Sequence, residues 1–185
     1  MVIVNQCNAL TLTVTKPVSL LVPAATSLVG AVTKPDPLLH ERDHYLCYAA
    51  KSEAKLPKRM QVDVTDRFQT RRYDLKKITK LCQPVDKSGS PVLLKGPNAG
   101  DPVLLEPAVI RHADDNLVCY QAKPAGKRVL QTGCTPTDPA DKGTKIVPKP
   151  PKHTPVRGIH IATQLGTLQV DTKKELELCI PTASP

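Results

Sequence analysis

The stretch GIHIATQLGTLQVDTKKELELCIP, Gly158 to Pro181, decides the reading of this chain, because it occurs three times. The middle copy is MQVDVTDRFQTRRYDLKKITKLCQP, Met60 to Pro84, and the first is VIVNQCNALTLTVTKPVSLLVP, Val2 to Pro23. The last two copies align without a gap, pairing Phe68 with Leu165, Asp74 with Asp171, Leu81 with Leu178, Cys82 with Cys179 and Pro84 with Pro181. In the first copy Cys7 takes the Phe68 position and Leu21 the Cys82 position. A repeat of this kind defines architecture before any local pattern does. Within each copy, apolar and polar residues alternate (Val2, Val4, then Leu10, Leu12, Val14), the period of half-buried strands.

Working outward, a short run of β-formers precedes the second and third copies: His44-Tyr-Leu-Cys-Tyr48 and Asn116-Leu-Val-Cys-Tyr120. The full unit is therefore a head strand with Cys-Tyr, a connector, and a strand pair ending in Leu-Cys-x-Pro. Residues 1–25 read as the later part of a truncated first unit and 26–43 as a linker. Residues 44–88 form a second unit, 89–115 a connecting hairpin or loop, and 116–185 a third unit with a loop inserted at about 126–156. Residues 44–185 then make one module of two pseudo-equivalent halves. Pro91-Val-Leu-Leu and Pro102-Val-Leu-Leu suggest a short hairpin in the connection. Nothing sustains a capped helical period, so the expected fold is all-β: tandem small antiparallel units, sandwich-like or meander, with disulfide staples and long Pro-rich loops.

Composition agrees with thin units. Among 185 residues there are 19 Pro, 1 Phe, 4 Tyr and no Trp, a poor supply of large core side chains. Units of this size need staples or stacked neighbours. Six cysteines fit disulfides, and with them an oxidising compartment. Four occupy equivalent places: Cys47, Cys82, Cys119 and Cys179. The first copy lacks its head strand and carries Leu21 in place of the tail cysteine, which favours Cys47–Cys82 and Cys119–Cys179 over cross-unit pairings. Cys7 and Cys134 are left over. Cys7 stands at an otherwise apolar position and reads as a buried thiol, with a bridge to Cys134 as the alternative.

Lys and Arg number 26 against 17 acids, a net charge of +9. Such a balance suits a solvated surface or an anionic partner. Nucleic acid is disfavoured, since stacking aromatics and the helical or zinc-finger reading motifs are missing. The longest apolar stretch, Leu20 to Val32, contains Pro23 and falls short of the ~20 residues that span a bilayer. It is in phase with a repeat tail, and no basic leader precedes it, so it is not read as an export signal. The chain looks N-terminally truncated, with its export signal outside it.

The segments HYLCY, DRFQTRRYDLKKITKLCQPVDKSG, PVLLKG, NLVCYQAKP, QTGCTPTDPADKGTKI, PKHTPVRGIHI and DTKKELELCIP resemble a bacterial family of secreted repeat modules of unknown function. Its heads read like HLVCY and its tails like NQFG…DVKKPKxLCxP. The resemblance covers nearly the whole chain. It implies export, all-β modules, and tandem occurrence in larger cell-surface, periplasmic or secreted proteins, with other such modules as partners. It implies no activity. The family's NQFG turn is replaced here by NQCN, DRFQ and TQLG, of which only the last keeps a glycine, Gly166.

Phosphate-binding, zinc-protease, serine-hydrolase and EF-hand motifs are missing, as is any Cys-x-x-Cys pair. His44 and His112 precede the head strands, where packing or solvent contact outweighs a metal pair. Asp114-Asp115-Asn116 reads as a turn rather than a calcium loop, and Asp74 and Asp171 as repeat-equivalent polar positions rather than paired catalytic acids. The densest charge is Arg67, Arg71, Arg72, Lys76, Lys77 and Lys80, which in the functional alternative forms a strand face for an anionic glycan or envelope polymer. The expectation is a non-catalytic structural or adhesive module, with no cofactor, no metal and no catalytic residue.

Overall fold

The computed structural model describes residues 1–5, 7, 9–36, 42–86, 110–150 and 152–183. The described residues hold only strands and turns: β1 (Val2–Asn5), β2 (Ala9–Leu21), β3 (Ala25–Ser27), β4 (His44–Ser52), β5 (Met60–Thr65), β6 (Thr70–Val85) and β7 (Asn116–Pro124). Four two-residue strands follow, β8 (Lys127–Arg128), β9 (Gln131–Thr132), β10 (Thr135–Pro136) and β11 (Thr144–Lys145). The chain ends in β12 (Ile159–Thr163), β13 (Gly166–Val170) and β14 (Glu177–Ala183). The expected hairpin at Pro91 and Pro102 lies outside the described residues.

Seven strands form one sheet in the order β4-β2-β1-β14-β7-β6-β5, and β4 also pairs with β6. Neighbour by neighbour, β1, β2, β4, β6, β7 and β14 lead back to β1, so six antiparallel strands close a barrel. Closure at β1–β14 is slight, resting on Val4 opposite Ala183 and Asn5 opposite Thr182. A barrel this narrow has no lumen, because side chains fill it. Ile3, Leu10, Leu12, Leu75, Leu81, Val118, Tyr120 and Ile180 are buried together. The Tyr120 hydroxyl, wholly enclosed, accepts a hydrogen bond from Asn5 Nδ2 at 2.7 Å.

Equivalent residues of the copies occupy equivalent registers. Val4 faces Ala9 in the first hairpin, Thr65 faces Thr70 in the second, and Ala162 faces Thr167 in the third. The β2–β4 pairing breaks register between Val14 and Pro17 and between Pro17 and Ser19; β6–β7 breaks it between Leu75 and Ile78 and between Ile78 and Lys80. The first two tail strands therefore pair with the next head strand through the same two irregularities, whereas β14 pairs with β7, the head of its own unit, in continuous register. The turns differ. Asp66 Oδ1 accepts from the backbone N–H groups of Phe68 and Gln69 and holds a four-residue loop. Gly166, with φ +136°, permits a two-residue loop in the third hairpin.

Cys47 stands opposite Cys82 and Cys119 opposite Cys179, and each pair is bridged, with Cα atoms 3.8 and 3.9 Å apart. Sγ of Cys82 lies 3.8 Å from Sγ of Cys119. The four sulfurs thus form a row across four adjacent strands, β4, β6, β7 and β14. Cys7 is not a buried thiol: it is bridged to Cys134, tying the β1–β2 turn to the inserted loop. Across the expected boundary between the first unit and the linker, Ala25–Ser27 forms a strand, because its backbone meets the exposed edge of β12 and completes a three-stranded sheet with β13.

Candidate functional site

The six basic residues singled out in the sequence do not form one face. In a strand, consecutive side chains point to opposite sides, so Arg71 and Arg72 diverge. Arg71 Nη1 lies 2.9 Å from Glu175 Oε1, with its side chain 8% exposed. Arg72 grips the Asp63 carboxylate with two nitrogens, Nε at 2.8 Å from Oδ1. That fork holds the Asp63 carboxyl below the ordinary range and raises the guanidinium of Arg72. Lys80 Nζ is 2.6 Å from Glu177 Oε2. Arg67 donates to the carbonyl and hydroxyl of Thr26 and lies over the Phe68 ring. Lys76 is 3.4 Å from Asp74, while Lys77 is exposed and makes no ion pair among the described residues.

Arg71 and Arg72 line a cleft of about 820 Å³ between the β5–β6 hairpin and the strap 152–156. At its centre Glu175 Oε1 accepts from Gln69 Nε2 at 3.0 Å and from Arg71 Nη1, and Nδ1 of the His153 ring lies 3.3 Å away. Burial acts to raise the Glu175 pKa. The hydrogen bonds from Gln69, its own backbone N–H and His153, with the charge of Arg71, outweigh it and hold the carboxyl below its ordinary value. Burial, then the Glu175 charge, push the Tyr73 phenol up. His153 Nε2 is 2.8 Å from Thr172 Oγ1, and that hydroxyl also accepts from Val156 N–H at 2.8 Å. A hydroxyl, imidazole and carboxylate in series have the connectivity of an activated nucleophile. Here the same contacts fasten the strap: Thr172 N–H returns a bond to Val156 O, and Gly158 N–H donates to Asp171 Oδ1.

The other sequence candidates also have local partners. Asp74 accepts from Gln61 Nε2 at 2.7 Å. Asp43 accepts from the backbone N–H groups of Arg111 and His112, both at 2.8 Å, and lies 3.2 Å from His112 Nδ1. Asn116 bonds back to Asp114 O, as a turn requires. His44 is fully buried. Among the described residues no three His, Cys, Asp or Glu groups come close enough to hold a metal ion. The sequence gives no sign of the part played by Gln61, 2% exposed. Its side chain donates to Lys127 O and accepts from Val129 N, while Gln131 bonds both its backbone groups. Gln61 thus fixes the inserted loop against β5.

A second depression, of about 930 Å³, opens where β4 parts from β6 beside the loop 54–59 and the irregular part of β6. Lys51, Lys55, Lys58, Arg59, Lys76 and Lys77 line it, and among the described residues no acid does. This groove gathers Lys76 and Lys77, two of the six basic residues singled out in the sequence.

No protein-family model, no curated protein and no solved structure matches the chain. The family resemblance therefore rests on the quoted motifs alone.

Proposed function

We propose that this chain is a non-catalytic structural or adhesive β module of an exported bacterial protein, working beside other modules of its kind. The observation that carries the reading is the sulfur row: two bridges link β4 to β6 and β7 to β14, and a third anchors the inserted loop. No described cysteine is free. A barrel so stapled is compatible with an oxidising extracellular or periplasmic setting, and bridges of this sort are lost in a thiol-reducing cytosol. No helix among the described residues is long and apolar enough to cross a membrane.

The test is to produce the chain in the periplasm and in the reducing cytosol of one bacterial host. Periplasmic protein is expected to carry three bridges and resist protease, and cytosolic protein to be digested. Equal resistance of a fully reduced protein would overturn the exported-module reading.

A further inference from the structure

Arg59 is the least satisfied charged group in the described structure. Its backbone is left-handed, φ +60°, the only non-glycine residue there with a positive φ. Conformations of that kind are strained and persist where the surroundings impose them, often at binding sites. Nη1 of Arg59 is shut off from solvent and has no hydrogen-bond partner. A buried guanidinium nitrogen without an acceptor forgoes solvation that nothing replaces. Elsewhere in this protein, Arg71 and Arg72 are answered by carboxylates. Arg59 is not.

Its surroundings sharpen the contrast. Lys51, Lys55, Lys58 and Lys77 line the same groove, and none has an ion-pair partner among the described residues. Lys76 has only the 3.4 Å contact with Asp74. Cations gathered without acids raise the local potential and concentrate anions. Below this rim the walls are aliphatic: Leu56, Pro57, Leu75 and Ile78. Among the described residues no aromatic ring lines the groove, so a sugar finds none there to stack on.

We propose that this groove binds an amphiphilic anion, a carboxylate or phosphate on an aliphatic chain. On binding, the Arg59 side chain turns out of its sealed position to take the acid head, the lysines hold it electrostatically, and the chain lies along Leu56, Leu75 and Ile78. The site is separate from the stapled-module reading and stands or falls without it. Guanidinium bonds to an oxyanion are paired and charge-assisted, which suits Arg59 as the anchor. The groove is of the size that encloses a small ligand.

The experiment uses the full oxidised chain titrated with dodecanoate below its micellar concentration, followed by calorimetry. Saturable binding is expected, weakened at least tenfold by Arg59→Gly. Glycine adopts positive φ freely, so this variant keeps or raises the melting temperature, separating lost binding from lost fold. Arg67→Gln, on another face, is expected to bind as the parent does. Acetate is expected to bind far more weakly than dodecanoate. Vesicles distinguish the source. Sedimentation with phosphatidylglycerol vesicles, abolished by Arg59→Gly and absent with phosphatidylcholine, identifies a membrane lipid; dodecanoate binding alone identifies a free acid. No dodecanoate binding, equal affinity for acetate, or undiminished binding by Arg59→Gly overturns the proposal.

Discussion

The two residues whose chemistry is most constrained by neighbours are Cys82 and Glu175. Cys82 Sγ sits 3.8 Å from Cys119 Sγ while bonded to Cys47. Replacing its partner, Cys47→Ser, frees a thiol beside a disulfide, and a thiolate so placed attacks. The expected product joins Cys82 to Cys119 and releases Cys179 as the thiol. Peptide mapping without reduction checks it; an unshuffled Cys119–Cys179 with free Cys82 would refute it. For Glu175, the folded pKa is depressed. Its contribution is thus complete above the ordinary glutamate range and disappears as pH falls through the lower folded value. Glu175→Gln is expected to be less stable than the parent at neutral pH and to lose less on acidification. Urea melts at a series of pH values measure this, and parallel curves would refute it.

Among elements, the same sequence position meets different fates. Leu20 on β2 and Leu81 on β6 are repeat equivalents, facing Leu46 and Val118 in the same register. Yet Leu81 is 1% exposed and Leu20 46%. β6 has β4 on one side and β7 on the other along this segment, whereas β2 has only β4. Leu81→Ala is expected to cost about 2–5 kcal/mol through lost burial and a cavity. Leu20→Ala is expected to cost roughly 0.5 kcal/mol or less, the usual range for a surface position. Equilibrium denaturation compares them, and equal losses would mean that the first tail is covered in solution.

At the scale of the whole molecule, the barrel closes over two residue pairs, and a long-range bridge, Cys7–Cys134, ties the β1–β2 turn to the inserted loop across a sequence separation of 127. The other bridges span 35 and 60 residues. In chain-entropy terms the longest loop constrains the unfolded chain most. Cys7→Ala with Cys134→Ala is expected to lower stability by about 2–5 kcal/mol. Hydrogen exchange should quicken first at Val4 and Asn5, where β1 meets β14. Unchanged exchange there would show that strand pairing alone holds the seam.

The all-β class, the hairpins and the equivalent places of four cysteines follow from the sequence itself, because period-two alternation and repeated motifs are local signals. So does the difference in turns, since Gly166 alone opens the left-handed region there. Tertiary structure decided which cations carry charge into solution. Arg71 and Glu175, or Lys80 and Glu177, are about a hundred residues apart, and no local pattern brings them together. It also decided that three repeat copies share one barrel, that Ala25–Ser27 joins β12, and that Arg59 is held unpaired in a strained turn. Those outcomes depend on which surfaces meet when the chain closes, a property of packing between distant segments rather than of any one of them.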